Sequence, residues 1–252
     1  MQKYLLIILI NLLILTQLIA STRGDVKIVE ASENIRYLSQ KIAKEYLYLY
    51  YNPQKINLKN ELSKNMEELE ENINTIALNT QSEESKNILE FLTYNNEEIK
   101  LLLGGKATKD MSILLLDYSE TFIEASNSIQ SLHQYNFSEE EKMLMNIKEL
   151  EYLLERVNKY YIASIMNLNR VSNISQIDKT IIAIDDILKI VNAYPYPNEV
   201  NKEKEKTLTV WEKDKQFLTD ASQVSIPNLI SISIDDFKQK LNGLKLYHKK
   251  NQ

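Results

Sequence analysis

Met111–Leu132 reads MSILLLDYSETFIEASNSIQSL. Met111, Leu115, Tyr118, Phe122, Ala125, Ile129 and Leu132 follow one another in unbroken steps of four and three. That is the spacing of a helix packing one apolar face against its neighbours. The same steps occur upstream, in Leu62, Met66, Leu69, Ile73 and Ile76. Ile28, Ile35, Leu38, Ile42 and Leu49 form another stripe, and Ile88, Leu92, Ile99 and Leu102 a weaker one. Breaks fall at Asn52-Pro53, at the polar run Asn79–Glu84 and at Gly104-Gly105, which are turn chemistry. Four glycines and four prolines among 252 residues are too few for the turns of a sheet protein. The sequence therefore predicts an all-α chain of long helices.

The pattern repeats. At an offset of 115 positions Phe122, Asn127 and His133 fall on Phe237, Asn242 and His248. Leu62, Met66, Leu69, Ile73 and Ile76 fall on Ile177, Ile181, Ile184, Leu188 and Val191, and Tyr37-Leu38 on Tyr152-Leu153. One shift serves beginning, middle and end, so heptad periodicity alone does not explain it. In the third segment a small insertion is expected, with Tyr94 facing Trp211. The second copy then has helices over Met143–Met166, Ile177–Val191, Val200–Leu218 and Pro227–Leu244. Helices of some 25 residues are roughly 37 Å long, and short loops make them up-down bundles. The expectation is two tandem four-helix bundles from an internal duplication, 25–137 and 138–252, with a helix shared across Gln134–Glu140 as one way of joining them.

Ahead of the repeat, Lys3 is followed by an apolar run from Tyr4 to Leu15 and then by Leu18-Ile19-Ala20-Ser21. This is the layout of a secretory signal peptide, expected over 1–22. An uncleaved anchor stays open, because Leu18 is large for its place before a cut after Ala20. Either reading puts the remainder outside the cytoplasm, periplasmic or secreted. Hydrophobic residues at 44% and charged residues at 26% fit a folded chain, and the net charge of −5 does not suit a nucleic-acid partner. The absence of cysteine excludes disulfides, thiolate metal sites and cysteine nucleophiles.

No enzyme motif emerges. Glu67-Glu68, Glu70-Glu71, Asp185-Asp186 and Asp235-Asp236 sit between seam positions and read as solvated faces rather than catalytic or metal-binding pairs. A two-iron bundle needs Glu-x-x-His on its helices, and Gln130 and Lys245 stand where those glutamates would be. His133 and His248 read as helix-end residues near the carbonyl dipole, with a metal or pH-sensing pair as the alternative. Trp211 and the tyrosines read as core, their hydroxyls reaching solvent. A non-catalytic protein without cofactor is expected.

Within Asn34–Tyr51 the run Arg36-Tyr37-Leu38-Ser39-Gln40-Lys41-Ile42-Ala43-Lys44 resembles the R-M-L-S-Q-[RK]-[IM]-A-K opening of the N-terminal domain of type IV pilus methyl-accepting chemotaxis transducers, the PilJ type. Related nitrate and nitrite sensor kinases carry a similar run. The resemblance implies a helical extracytoplasmic sensory module, with a tryptophan in its third helix where Trp211 stands in copy two. In the nitrate sensors the arginine matching Arg36 binds the anion at a dimer interface, as bidentate guanidinium donors allow. Here Ser32-Glu33 replaces the usual Ala-Gly pair, and Glu33 lies within ion-pair reach of Arg36. In copy two the matching position is Glu151, so only a homodimer brings two Arg36 side chains together. The expectation is a structural Arg36–Glu33 pair, and no nitrate site. For any other small anion or metabolite the candidates are Arg36, Ser39, Gln40 and Lys41; copy two places Glu151, Leu154 and Glu155 opposite the first three. Lacking signalling domains, such a module would act through a separate membrane receptor or kinase. The rival expectation is a helical rod binding an envelope component.

Overall fold

The computed structural model describes the backbone of residues 2–54, 56–219 and 225–252, and the side chains of 23–54, 57–219 and 225–252. The candidate leader, 1–22, lies outside the residues whose side chains are described. Among those that are, no helix is long and apolar enough to cross a membrane.

The described chain is all-helical. Its elements are α1 (Gln2–Tyr51), α2 (Ile56–Asn79), α3 (Glu83–Leu103), α4 (Lys109–Leu132), α5 (Glu139–Ile165), α6 (Arg170–Ala193), α7 (Asn198–Thr219) and α8 (Pro227–Lys250). Short polar side chains fix several starts. Ser82 and Thr108 accept the backbone N–H groups of Ser85 and Met111 at the heads of α3 and α4. Ser138 and Glu141 form a reciprocal capping box on α5. Pro227 opens α8, where its missing N–H costs nothing. The α5–α6 turn is tight because Asn167 and Asn169 both take φ of 55°, which asparagine tolerates better than most residues.

Two large cores result. One joins Ile35, Leu38 and Ile42 of α1 to Met66, Leu69, Leu92 and Phe122 of α2, α3 and α4. The other joins Leu150, Val157 and Tyr161 of α5 to Ile184, Trp211 and Phe237 of α6, α7 and α8. A third, smaller cluster of Leu47, Tyr48, Ile162, Ala163 and Leu168 ties α1 directly to α5. α1 packs on α2, α4 and α5, and α5 on α1, α6 and α8. Arg36 meets Glu149, Lys44 meets Glu155 and Tyr48 meets Asn158, so partners advance together and the two helices run parallel. With three neighbours each, they have little free circumference, and residues 28–49 and 143–164 are buried or half-buried almost throughout.

Burial recurs at the offset seen in the sequence. Ser112, Leu115, Ser119, Phe122, Ser126, Ile129 and His133 are buried, and so are Pro227, Ile230, Ile234, Phe237, Leu241, Leu244 and His248. Three expectations are corrected. Residues 134–138 form a loop and no helix crosses Gln134–Glu140, because α4 ends at Leu132 and Ser138 caps a fresh start. Tyr94 does not face the place of Trp211. Tyr94 is 64% exposed and Trp211 1%. An offset of 119 instead sets Leu92 on Trp211, with buried Ser85, Asn95 and Ile99 on Lys204, Asp214 and Leu218. The hydroxyls of Tyr46 and Tyr161 do not reach solvent; they accept the backbone N–H groups of Thr108 and Ile226, securing the segments that lead into α4 and α8.

Candidate functional site

Because α1 and α5 meet along their length, charges placed on that line must satisfy one another. Arg36 does so through both of its outer nitrogens. Its Nη1 donates to Glu33 Oε1 at 2.9 Å and to Glu149 Oε2 at 2.6 Å, while Nη2 donates to Glu149 Oε1 at 3.0 Å. The guanidinium also lies 4.3 Å from the centroid of the Tyr152 ring. The Arg36–Glu33 pair expected from spacing is therefore present, joined by a second acid from α5 that the α1 sequence does not announce.

The other three residues of the motif point elsewhere. Ser39 Oγ donates to the carbonyl of Arg36 at 2.9 Å, within its own helix. Gln40 Nε2 donates to the carbonyl of Ser119 on α4 at 3.0 Å. Lys41 Nζ donates to Asn65 Oδ1 on α2 at 3.1 Å. Arg36 faces α5, Gln40 faces α4 and Lys41 faces α2, so the fold does not gather these four side chains around one space.

What the fold does gather lies a turn further on. Glu155 is fully buried. Lys44 of α1 reaches its Oε2 at 2.6 Å, Lys238 of α8 reaches Oε1, and the Tyr37 hydroxyl lies 3.4 Å from Oε1. Burial alone would raise its pKa, but the attraction of Lys44 and Lys238 prevails and holds it at about 2. One turn further along α5, Lys159, also fully buried, donates to Glu120 at 2.5 Å and to Ser119 Oγ at 2.8 Å, both on α4. Burial pulls its pKa down to about 8, against the pull of Glu120. Glu155 stands at the position matching Gln40. An acid between Leu154 and Arg156, close to the apolar Leu153 and Val157, was the available signal for the seam.

Beside this network opens a cleft of about 810 Å³ between α1, α2 and α8. It is lined by Lys44, Glu45 and Tyr48 of α1, Glu61 of α2, and Ser231 and Asp235 of α8. Glu45 is 2% exposed. Its Oε2 accepts from Asn65 Nδ2 at 2.6 Å. Burial raises its pKa to about 7, with Lys44 and Lys41 opposing. A second cleft, of about 430 Å³, has an apolar floor of Leu49, Leu62, Met66 and Leu103 beneath Lys59 and Lys100.

No family model, curated protein or solved structure matches this chain.

The histidines are more than helix-end residues. His133 Nδ1 lies 2.9 Å from Asp25 Oδ1, and its Nε2 lies 2.9 Å from Ser85 Oγ and 3.1 Å from Thr80 Oγ1. A carboxylate only accepts, so Nδ1 carries a proton and donates to Asp25. His248 repeats the arrangement with Glu140 on Nδ1 and the Tyr196 hydroxyl, 2.8 Å away, on Nε2. Asp25 and Glu140 are themselves 115 positions apart. Ser85, His133 and Asp25 have the connectivity of a nucleophilic triad, but Ser85 is fully buried and a phenol fills its place in the matching set. Each set instead pins the end of α4 to the middle of α1, at Asp25, or the end of α8 to the start of α5, at Glu140. Among the described residues no three metal-ligating side chains come together.

Proposed function

We propose that this chain is an exported, non-catalytic sensory module of the PilJ type, built as two tandem copies of an up-down four-helix bundle that arose by internal duplication. In this reading residues 25–137 and 138–252 are the copies, α1 and α5 their matching first helices, and the cleft where α1 and α2 meet α8 the ligand site. The observation that carries it is that cleft. It has the size of a small-molecule site, lies where the copies adjoin, and holds a few convergent polar groups including a carboxyl of displaced pKa. A ligand bridging α1–α2 to α8 would bias the α1–α5 seam, which a separate membrane receptor or kinase would read.

The same geometry moves any ligand away from Arg36, whose outer nitrogens are taken by Glu33 and Glu149. That also favours a second reading, a helical scaffold of the cell envelope with no small ligand, in which the motif serves only to join the copies. A thermal-shift screen of the full chain against small metabolites separates the two. The sensory reading expects at least one compound to raise Tm in a concentration-dependent way, with the shift lost when the cleft is altered. If no compound moves Tm and cross-linking instead recovers a stable protein partner, the scaffold reading replaces it. Covalent labelling of Ser85 by a serine-directed fluorophosphonate would overturn the non-catalytic assignment.

A further inference from the structure

We infer that the cleft between α1, α2 and α8 takes a small organic ammonium ion, with the charged head on Glu45 and the hydrocarbon stem along Leu58 and Ile232. The inference rests on the ligand-binding reading above and adds the chemical class. Of the charged side chains lining the cleft, Glu45, Glu61 and Asp235 are acids and Lys44 is the cation. Lys44 is already held by Glu155 at 2.6 Å. An anion would meet three carboxyls and one cation that is already paired. A cation would meet a carboxyl that needs it.

Glu45 is the decisive group. One of its oxygens accepts from Asn65, and the other has no hydrogen-bond partner among the described residues. Charged and buried with one donor, such a carboxylate is costly, which is why its pKa stands near 7. An ammonium head brings up to three N–H donors and a full positive charge to the unfilled oxygen. Facing Glu45 are Lys41 and Lys44 from α1, Asn65 from α2 and Glu155 from α5. Lys44 is paired with Glu155 and Lys41 is hydrogen-bonded to Asn65; the attraction of both lysines opposes the effect of burial on Glu45 without overcoming it. Leu58 and Ile232 give the walls the apolar surface that an alkyl chain requires.

The test is isothermal titration of the full chain with compounds of one length and different charge: butylamine, 1,4-diaminobutane, butyrate and succinate. At pH 8 the amines are expected to bind and the carboxylates not to. The amines stay protonated from pH 8 to 5.5, so a tenfold or greater loss of affinity over that range reports protonation of Glu45. Glu45→Gln is expected to fold, as checked by its melting curve, and to lose both the binding and its pH dependence. Amine binding that survives Glu45→Gln would overturn the assignment of the head group. Binding of succinate in place of the amines would overturn the ligand class and leave the cleft as a ligand site. If the folded protein binds none of the four and the wider screen is also silent, the ligand-binding reading itself falls.

Discussion

Glu155 shows how much one side chain can decide. It is the acid around which Lys44 of α1 and Lys238 of α8 close, and it has no exposed surface. Glu155→Gln leaves two cations facing a neutral amide, and removing one partner of a buried ionic cluster costs about 3–5 kcal/mol. Urea unfolding at pH 7 should show a loss of that size. The pH dependence has a definite sign. The folded pKa of about 2 lies below the ordinary 4.5, so the stabilisation is complete above pH 4.5 and disappears as pH falls from there towards 2. Acid titration of the wild type followed by circular dichroism should lose stability over that window, and the Gln variant should show a smaller change. Glu45 has the opposite sign. Its raised pKa makes the ionised form costly, so Glu45→Gln should stabilise the protein at pH 8 and have little effect at pH 5. At this scale the sequence was only partly legible. The i,i+3 spacing of Glu33 and Arg36 gave their pair, because both lie on one helix. Glu149, Glu155 and Glu120 come from other helices, and no local spacing shows which cation they meet.

The helices themselves were the most legible part, since each carries its apolar period along its own length and breaks where proline, glycine or polar runs interrupt it. The joints were less so. Ser138 and Glu141 stop and restart the chain by capping, a local interaction that outweighs the continuing helical propensity of the acidic run behind it. α3 shows what an exposed aromatic does to register. Tyr94 is the more conspicuous residue, yet the offset of 119 makes Leu92 the structural counterpart of Trp211. Leu92→Ala should therefore cost about 2–5 kcal/mol, and Tyr94→Ala should stay within about 0.5 kcal/mol, as surface changes do. Thermal melts of the two variants side by side check the register. Equal losses would restore the pairing of Tyr94 with Trp211. α1 and α5 held the other surprise. A single stripe was read on α1 and only a helix on α5, whereas three neighbours bury nearly the whole surface of each, and polar residues outside that stripe turn out to line the seam.

For the whole molecule, that seam means the two cores are not independent. Tyr48 donates to Asn158 or to the carbonyl of Pro227, and Leu47 packs with Ile162, so α1 contributes to the stability of α5 and of the segment leading into α8. Equilibrium unfolding in urea should follow one transition with coincident fluorescence and circular dichroism curves, Trp211 reporting on one core and helicity on both. Two separated transitions would show that the seam carries little energy. The repeat of buried positions at 115 was visible in the sequence, but the way its two halves meet was not, since the same periodicity suits end-to-end and side-by-side arrangements equally. The pairs Arg36–Glu149, Lys44–Glu155 and Tyr48–Asn158 distinguish them.

The enclosure of α1 on three sides has a mechanical consequence. From Ile28 to Leu49 this helix is clasped by α2, α4 and α5 at once. A pull along its axis at the N-terminal side of that stretch would load every one of those contacts together, in shear, instead of peeling them away one turn at a time. A transverse pull on α3, which packs mainly on α2 and α4, would meet them in sequence. The molecule is thus stiff along the axis of its first helix and yielding across its third, so force arriving at the start of the folded region would pass into both cores before either gave way.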